Sequence, residues 1–341
     1  MMTRQDKIAL IKQRFPSLKV EQKIALFEAR NPGHLFNVDA LINENPSFYT
    51  VRMGYACNEK CVHCFTEDKK QTSNDRTLEE LKQTIDEAPA DTTIIVVTGG
   101  EPTVRPELAE LLDYVRLRGC INNVQTNGVL LGDPEYFKEI APYLDSAFIP
   151  VHSANSFIHD AITQLPGSWK KTLAGIRNLV DAGIYVNTNT VINQFNYRNL
   201  LDVAEMLQAI QPGMSMTFTF PHPVGAAAST YIVPRYTDVA ESLFVLLEKY
   251  GDKISTHYIP RCYLYPFQDK VINVDDGDNG SVHKLGVDFI NNNWERTDYG
   301  EYKPYSKIKS PACRACQFDS KCIGVWREYG ELYESLDIIP R

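Results

Sequence analysis

The stretch TTIIVVTGG, residues 92–100, is apolar at nearly every position over the length of a strand and stops at two glycines. Such a strand must be covered on both faces, which is the situation of a parallel strand flanked by helices. The chain repeats this arrangement. Strand-like segments at 48–55, 92–100, 121–128, 146–153, 184–192 and 214–222 alternate with amphipathic segments at 76–88, 107–119, 134–144, 169–183, 197–210 and 236–251. Leu78, Leu81 and Ile85 share one face of the first helix, and glycines 119 and 183 stop two others. The spacing predicts six strand-then-helix units, an α/β chain built on a parallel sheet, either doubly wound or barrel-like. Both architectures collect function at the C-terminal strand ends. Cys57, Gly99 to Pro102, Asn127, His152, Ser153, Asn189, Pro221 and His222 fall there.

The rhythm stops after residue 251. Residues 257–286 predict a β-hairpin around an Asp/Asn/Gly turn, followed by a loop, a second group of cysteines and a helix near 325–336. Residues 1–45 read as two short amphipathic helices packed on the outside. The expected organisation is an N-terminal helical segment (1–45), a main domain (46–251) and a small C-terminal domain (252–341).

Composition narrows the chemistry. Net charge is −8 with no Lys/Arg-rich block, which argues against a nucleic-acid partner. No apolar run reaches 18 residues, and the charged N-terminus lacks a signal peptide's apolar core, so the expectation is a cytoplasmic protein with no membrane partner. In that reducing compartment clustered thiols read as metal or cluster ligands and not as disulfides. Six of the eight cysteines are clustered, at 57, 61 and 64 and at 313, 316 and 322, while Cys120 and Cys262 stand alone. A closed zinc site takes four ligands. The segment YACNEKCVHCF offers three thiolates, which suit three irons of a cubane and leave the fourth iron open.

Cys57-x3-Cys61-x2-Cys64 after the first strand, with TGGEP after the second, resembles the radical S-adenosylmethionine (radical SAM) superfamily over about residues 48–222. The resemblance implies a partial (β/α)6 TIM-like barrel whose [4Fe-4S] cluster, held by Cys57, Cys61 and Cys64, binds S-adenosylmethionine through its amino and carboxylate groups. Gly99, Gly100 and Glu101 would meet the methionyl ammonium. Glycines allow close backbone approach, and a carboxylate beside an ammonium forms a charge-assisted hydrogen bond. By the same resemblance Ser153, or less directly His152, would meet the ribose, Asn189 sits in a similar place, and His63 would pack near adenine. The implied reaction is reductive cleavage to methionine and a 5′-deoxyadenosyl radical, with electrons from a donor such as a flavodoxin or ferredoxin.

Cys313-x2-Cys316-x5-Cys322 with Cys262 upstream resembles the auxiliary-cluster extensions of the same superfamily, the SPASM domain and its shorter twitch relative. Trp326 stands where SPASM domains carry a further cysteine, and HKLG (283–286) where the hairpin-closing cysteine would be. The expectation is therefore one auxiliary [4Fe-4S] cluster, with zinc as the alternative occupant. Cys262 either completes that ligand set or donates a hydrogen atom to a substrate radical. His222 is the other catalytic candidate, for proton transfer. The resemblance implies hydrogen abstraction from a C–H bond, and the acidic chain with its short single-cluster extension favours a small biosynthetic substrate such as a sugar or nucleoside, by oxidation, epimerisation or elimination. The alternatives are a maturase of a ribosomally made peptide and, in another class, a non-catalytic iron–sulfur redox sensor.

Overall fold

The structure, a computed structural model, describes residues 2–14, 16, 18–43, 46–67, 69, 75–268, 307–322 and 324–341, and the backbone of 272–273, 282–290 and 293–297. The chain opens with three helices, α1 (Arg4–Arg14), α2 (Val20–Arg30) and α3 (Val38–Ile42), where the sequence predicts two. The third is five residues long, too short for periodicity to register, and is started by the Asn37 side chain accepting from the Asp39 amide.

Seven strands then run parallel in sequence order: β1 (Ser47–Arg52), β2 (Ile94–Thr98), β3 (Ile121–Gln125), β4 (Ser146–Pro150), β5 (Tyr185–Val191), β6 (Ser215–Thr219) and β7 (Ile254–His257). The helices between them are α4 (Leu78–Asp86), α5 (Leu108–Leu117), α6 (Pro134–Ile140), α7 (Ser156–Thr163), α8 (Ser168–Asp181), α9 (Leu200–Ile210) and α10 (Tyr236–Tyr250). Local signals set their starts. Thr77 and Glu80 form a capping box on α4, Asp133 caps α6 ahead of Pro134, and Asn155 caps α7.

Alternate strand residues turn outward. Tyr49, Val51, Ile95, Val97, Val124, Ala147 and Ile149 are buried against the helices in one continuous core. The other set turns inward, and Val96, Asn123, Phe148, Asn187, Thr217 and Ser255, one from each strand β2 to β7, line one cavity of about 440 Å³. Six successive strands facing a common cavity make the sheet a partial barrel, which decides between the two architectures the alternation allowed. Leu18, Ala40 and Leu41 of the N-terminal segment close its floor. That segment is tied on by charge as well as packing. Asp145 pairs with Arg116 at 2.8 Å and Lys23 at 3.4 Å, all buried, and the two cations hold its carboxyl below the usual range against the opposing effect of burial.

Two elements depart from the sequence expectation. Helix α7 falls in what reads as a loop, because it is eight residues long and its polar start reads as a turn. The predicted 257–286 hairpin is not formed as such. Strand β8 (Ile272–Asn273) pairs parallel with β7, whereas β9 (Val282–Ile290) pairs parallel with β1 and antiparallel with β10 (Asn293–Thr297). The two arms expected to pair thus extend opposite ends of the parallel run, each satisfying one exposed edge. The Asp/Asn/Gly turn expected between them lies outside the described residues. A two-stranded ladder of β11 (Lys307–Ile308) and β12 (Val325–Trp326) and the helix Arg327–Tyr333 follow. Among the described residues no helix is long and apolar enough to cross a membrane.

Candidate active site

A cleft of about 370 Å³ opens at the C-terminal ends of the strands. Its β1–β2 side is built from the loop that follows β1. This loop is held at several points. The Tyr55 amide donates to Asp75 Oδ1 (2.9 Å), the Lys60 and Val62 amides donate to the Thr163 and Ile162 carbonyls (3.1 and 2.9 Å), and the Cys64 carbonyl accepts from the Ala226 amide (3.1 Å). The unforeseen helix α7 is therefore one of the loop's anchors. Asn127, at the end of β3, adds a side-chain bond to Asn58 Oδ1 at 2.6 Å.

Cys57, Cys61 and Cys64 all line the cleft. Burial, with the Glu59 carboxylate 3.4 Å from its sulfur and the two neighbouring thiols, pushes the Cys61 thiol well above its ordinary value. The Cys61 thiol therefore gives up its proton only beside a strongly positive centre. Three sulfurs on one loop, all lining the cleft, are a donor set that fits a cationic metal group.

Gly99 and Gly100 reach the cleft as expected, but what comes close to them is protein. The Gly100 amide donates to the Gly54 carbonyl (2.9 Å) and the Glu101 amide to the Ala56 carbonyl (2.8 Å). A Cβ on Gly100 would overlap the carbonyl oxygens of Tyr55 and Ala56, and one on Gly99 would lie 2.7 Å from the Gly54 oxygen. The glycines let the β2 end lie flat on the thiol loop, whatever they also offer a ligand. Glu101 is 2% exposed and is engaged by the protein. Its Oε1 accepts from the Thr103 amide (2.9 Å), Thr103 Oγ1 (2.6 Å) and Thr126 Oγ1 (2.6 Å), and its Oε2 from the Asn127 amide (2.6 Å). Desolvation raises its pKa while these donors pull it down. The carboxylate ties β2 to β3, and Oε2, with a single protein donor among the described residues, has capacity for a further partner.

The other sequence candidates divide. His63 lies edge-on to His152, ring centroids 4.6 Å apart, and His152 in turn faces His159 at 5.6 Å. Burial keeps all three neutral, with His63 and His159 pushed down to about 4. His63 and His152 line the cleft, as do Asn189, whose Oδ1 accepts from Thr219 Oγ1 at 2.8 Å, and His222. Ser153 does not: its Oγ accepts from the Asn155 amide at 3.0 Å in the turn before α7. Cys120 is buried at the opposite end of the sheet, its sulfur donating to the Thr92 carbonyl.

The second thiol group converges at a separate place. Cys262, Cys313, Cys316 and Cys322, more than two hundred residues from the first triplet in part and brought together by the fold, line one small cavity. Cys262 is 6% exposed, and burial pushes it up to about 11, against a hydrogen bond with the Ile339 backbone and with the three neighbouring thiols adding to the rise. It is not among the residues lining the cleft. Among the described residues no three His, Cys, Asp or Glu side chains close on the position of a single metal ion.

Sequence reasoning missed the far wall of the cleft, where Tyr258 and Trp326 reach in from the two segments that carry Cys262 and Cys322. Trp326 registered only as a missing cysteine. Nothing in the sequence marks Tyr258, whose φ of 61° is a strained conformation for a bulky side chain.

Comparison with known proteins matches residues 51–209 to the Radical SAM superfamily model. Fe-coproporphyrin III synthase of Methanosarcina barkeri is 32% identical over 158 residues, covering 45% of this chain and 38% of that protein. Mycofactocin maturase MftC of Mycobacterium tuberculosis is 30% identical over 216 residues, covering 62% of this chain and 54% of that protein. The chain thus spans about half the length, or less, of these curated relatives. Among solved structures, Streptococcus suis SuiB bound to its precursor peptide SuiA superposes with a TM-score of 0.60 at 13% identity, over 89% of this chain and 78% of that one, so the fold is shared.

Proposed function

We propose that the chain, whose residues 51–209 match the Radical SAM superfamily model, is a radical SAM enzyme that cleaves S-adenosylmethionine reductively and abstracts hydrogen from a C–H bond of a ribosomally made peptide. The observation that carries the reading is the meeting, at one cleft, of three thiols on a single loop with the Gly99–Gly100–Glu101 turn packed against that loop. Bound there, a [4Fe-4S] cluster supplies one electron and an open iron for S-adenosylmethionine.

The chain's own residues hold and shield. Cys57, Cys61 and Cys64 bind the cluster. The Gly99 and Gly100 carbonyls and Glu101 Oε2 receive the methionyl ammonium, and neutral His63 and His152 give adenine an apolar, uncharged wall. Asn189 is the ribose contact, with its Nδ2 unassigned to any other protein group among the described residues. Ser153, turned into its own loop, contributes through backbone position. Cys262, Cys313, Cys316 and Cys322 hold one auxiliary [4Fe-4S] cluster, since four thiols surround a cavity and none of them faces the cleft. Cys262 is in this reading a ligand and not a hydrogen-atom donor.

The peptide reading is supported by the kinship with a maturase and by the fold shared with a protein that binds a precursor peptide. The small-molecule reading is favoured by the identity to Fe-coproporphyrin III synthase, and co-expression with neighbouring short open reading frames separates the two by the mass change of a peptide. For the radical chemistry, anaerobically reconstituted protein with a strong reductant should hold about eight irons per chain and turn S-adenosylmethionine into 5′-deoxyadenosine. Absence of that product, or its equal formation by Cys57→Ala, would leave the redox-sensor reading standing instead.

A further inference from the structure

Arg105 ends the turn that begins with Gly99, Gly100 and Glu101. Pro102–Val104 form one tight turn, fastened by the Thr103 amide on Glu101 Oε1 (2.9 Å) and closed by the Arg105 amide on the Pro102 carbonyl (3.0 Å). The Arg105 side chain is 12% exposed and is not among the residues lining the cleft. It reaches the base of the thiol loop instead. Nη1 donates to the Met53 carbonyl (3.0 Å) and Nη2 to the Arg76 carbonyl (2.8 Å). Met53 is where the chain leaves β1, and Arg76 lies just ahead of α4. All three thiols of the first group therefore lie between two points that one guanidinium holds.

Other bonds close the same junction. The Arg76 amide donates to the Met53 carbonyl (3.1 Å). Asp75 Oδ1 accepts from the Tyr55 amide (2.9 Å) and the Ala56 amide (3.4 Å), and its Oδ2 lies 3.5 Å from Arg105 Nη1. Gly54, at φ 154°, leaves the room this carboxylate uses, since a Cβ there would overlap Asp75 Oδ1. Pinning both ends of a loop at one place leaves it fewer arrangements. A guanidinium does this with two N–H groups in a rigid fork, which the single ammonium of a lysine cannot reproduce.

The turn is thus joined to the thiol loop twice. Backbone bonds from Gly100 and Glu101 to Gly54 and Ala56 join them beside the cleft, and Arg105 joins them at the loop's base. Many side chains could fasten a loop. This one is carried on the turn that presents Glu101, so it fixes the loop and the turn relative to each other.

We propose that Arg105, with Asp75 as its partner, is a positioning residue that sets how the thiol loop and the Gly99–Glu101 turn face each other, so that S-adenosylmethionine is held by both at once. The inference rests on the radical SAM reading above. Arg105 bonds to neither the thiols nor any group in the cleft. Its loss should therefore leave the cluster bound and loosen the hold on S-adenosylmethionine.

The test compares the reconstituted full chain with Arg105→Gln and Arg105→Lys. Iron content and a thermal melt read whether cluster and fold are kept. KM and kcat for 5′-deoxyadenosine formation are measured beside the S-adenosylmethionine concentration that half-shifts the electron paramagnetic resonance signal of the reduced protein. Arg105→Gln should keep the parent's iron and raise both KM and the half-shift concentration roughly tenfold, the scale of one hydrogen bond from a charged group, with a smaller change in kcat. Arg105→Lys can reach one carbonyl but not both, so it should move the same way by less, and it is the variant read if Arg105→Gln does not fold. A folded Arg105→Gln with the parent's KM and half-shift, or an Arg105→Lys indistinguishable from the parent, overturns the proposal. So does loss of iron in step with a lower melting temperature in both variants, which assigns Arg105 to stability alone. Any of these alongside 5′-deoxyadenosine formation by the parent protein spares the radical reading, whereas absence of that product from the parent defeats the reading and the proposal together.

Discussion

The two thiol sites are made of the same atoms and built in opposite ways. The first draws three cysteines from eight consecutive residues, on a loop clamped by α7, β3 and the segment around Ala226, and it faces a cleft. The second draws four cysteines from segments fifty residues apart and encloses a small cavity. A short loop fixes ligands cheaply but would leave one side of a bound group exposed, and in the proposed function that exposure is what the chemistry needs. A site closed by a distant cysteine gains stability and loses access. The contrast also explains why the glycine pair lies beside the first site: a strand end must lie flat on that loop.

The strongest way to break this contrast is Cys57→Ala. Removal of one of three ligands should lower 5′-deoxyadenosine formation by about a thousandfold or more, since no fourth thiol can substitute. Next is Cys313→Ala, which should halve the iron content and lower the melting temperature, because it removes a staple between the 252–268 and 307–341 segments. Equal effects of these two changes on S-adenosylmethionine cleavage would erase the distinction between an open and a closed site. Gly100→Ala should follow, costing stability and cleavage together, as its Cβ forces the β2 end off the thiol loop. A circular-dichroism melt alongside the product assay reads both.

Glu101→Gln should have the smallest effect on stability, a loss of about 1–3 kcal/mol from mispairing with four donors, beside a weaker hold on the methionyl ammonium. It carries a pH signature. Burial raises the Glu101 pKa above its unfolded value, so between those values the native state binds the extra proton and stability falls as pH rises. The glutamine variant should lose that slope in melts taken across the mildly acidic range, and a retained slope would assign it to another group.

Legibility followed local chemistry. The strand–helix alternation was readable because each strand is apolar on its outward face and each long helix amphipathic, and both thiol groups were readable from spacing. Helix α7 was not, being short and started by an Asn cap that resembles a turn. The pairing of 257–286 was not, because a strand's partner depends on which sheet edges are open and not on its own residues. Glu101 shows the limit most clearly. Its position was evident, but its occupation by Thr103, Thr126 and Asn127 arises from contacts across strands. The wall of Tyr258 and Trp326 is likewise tertiary, made by segments that meet only once the C-terminal cysteines converge.

The central claim is that the first site exposes an iron and the second does not. Electron paramagnetic resonance of the reduced protein tests it, comparing a Cys313→Ala/Cys316→Ala/Cys322→Ala variant with a Cys57→Ala/Cys61→Ala/Cys64→Ala variant, each with and without S-adenosylmethionine. The account predicts that the cluster signal of the first variant shifts when S-adenosylmethionine is added and that of the second does not. A shift confined to the second variant, or the same response in both, would contradict it.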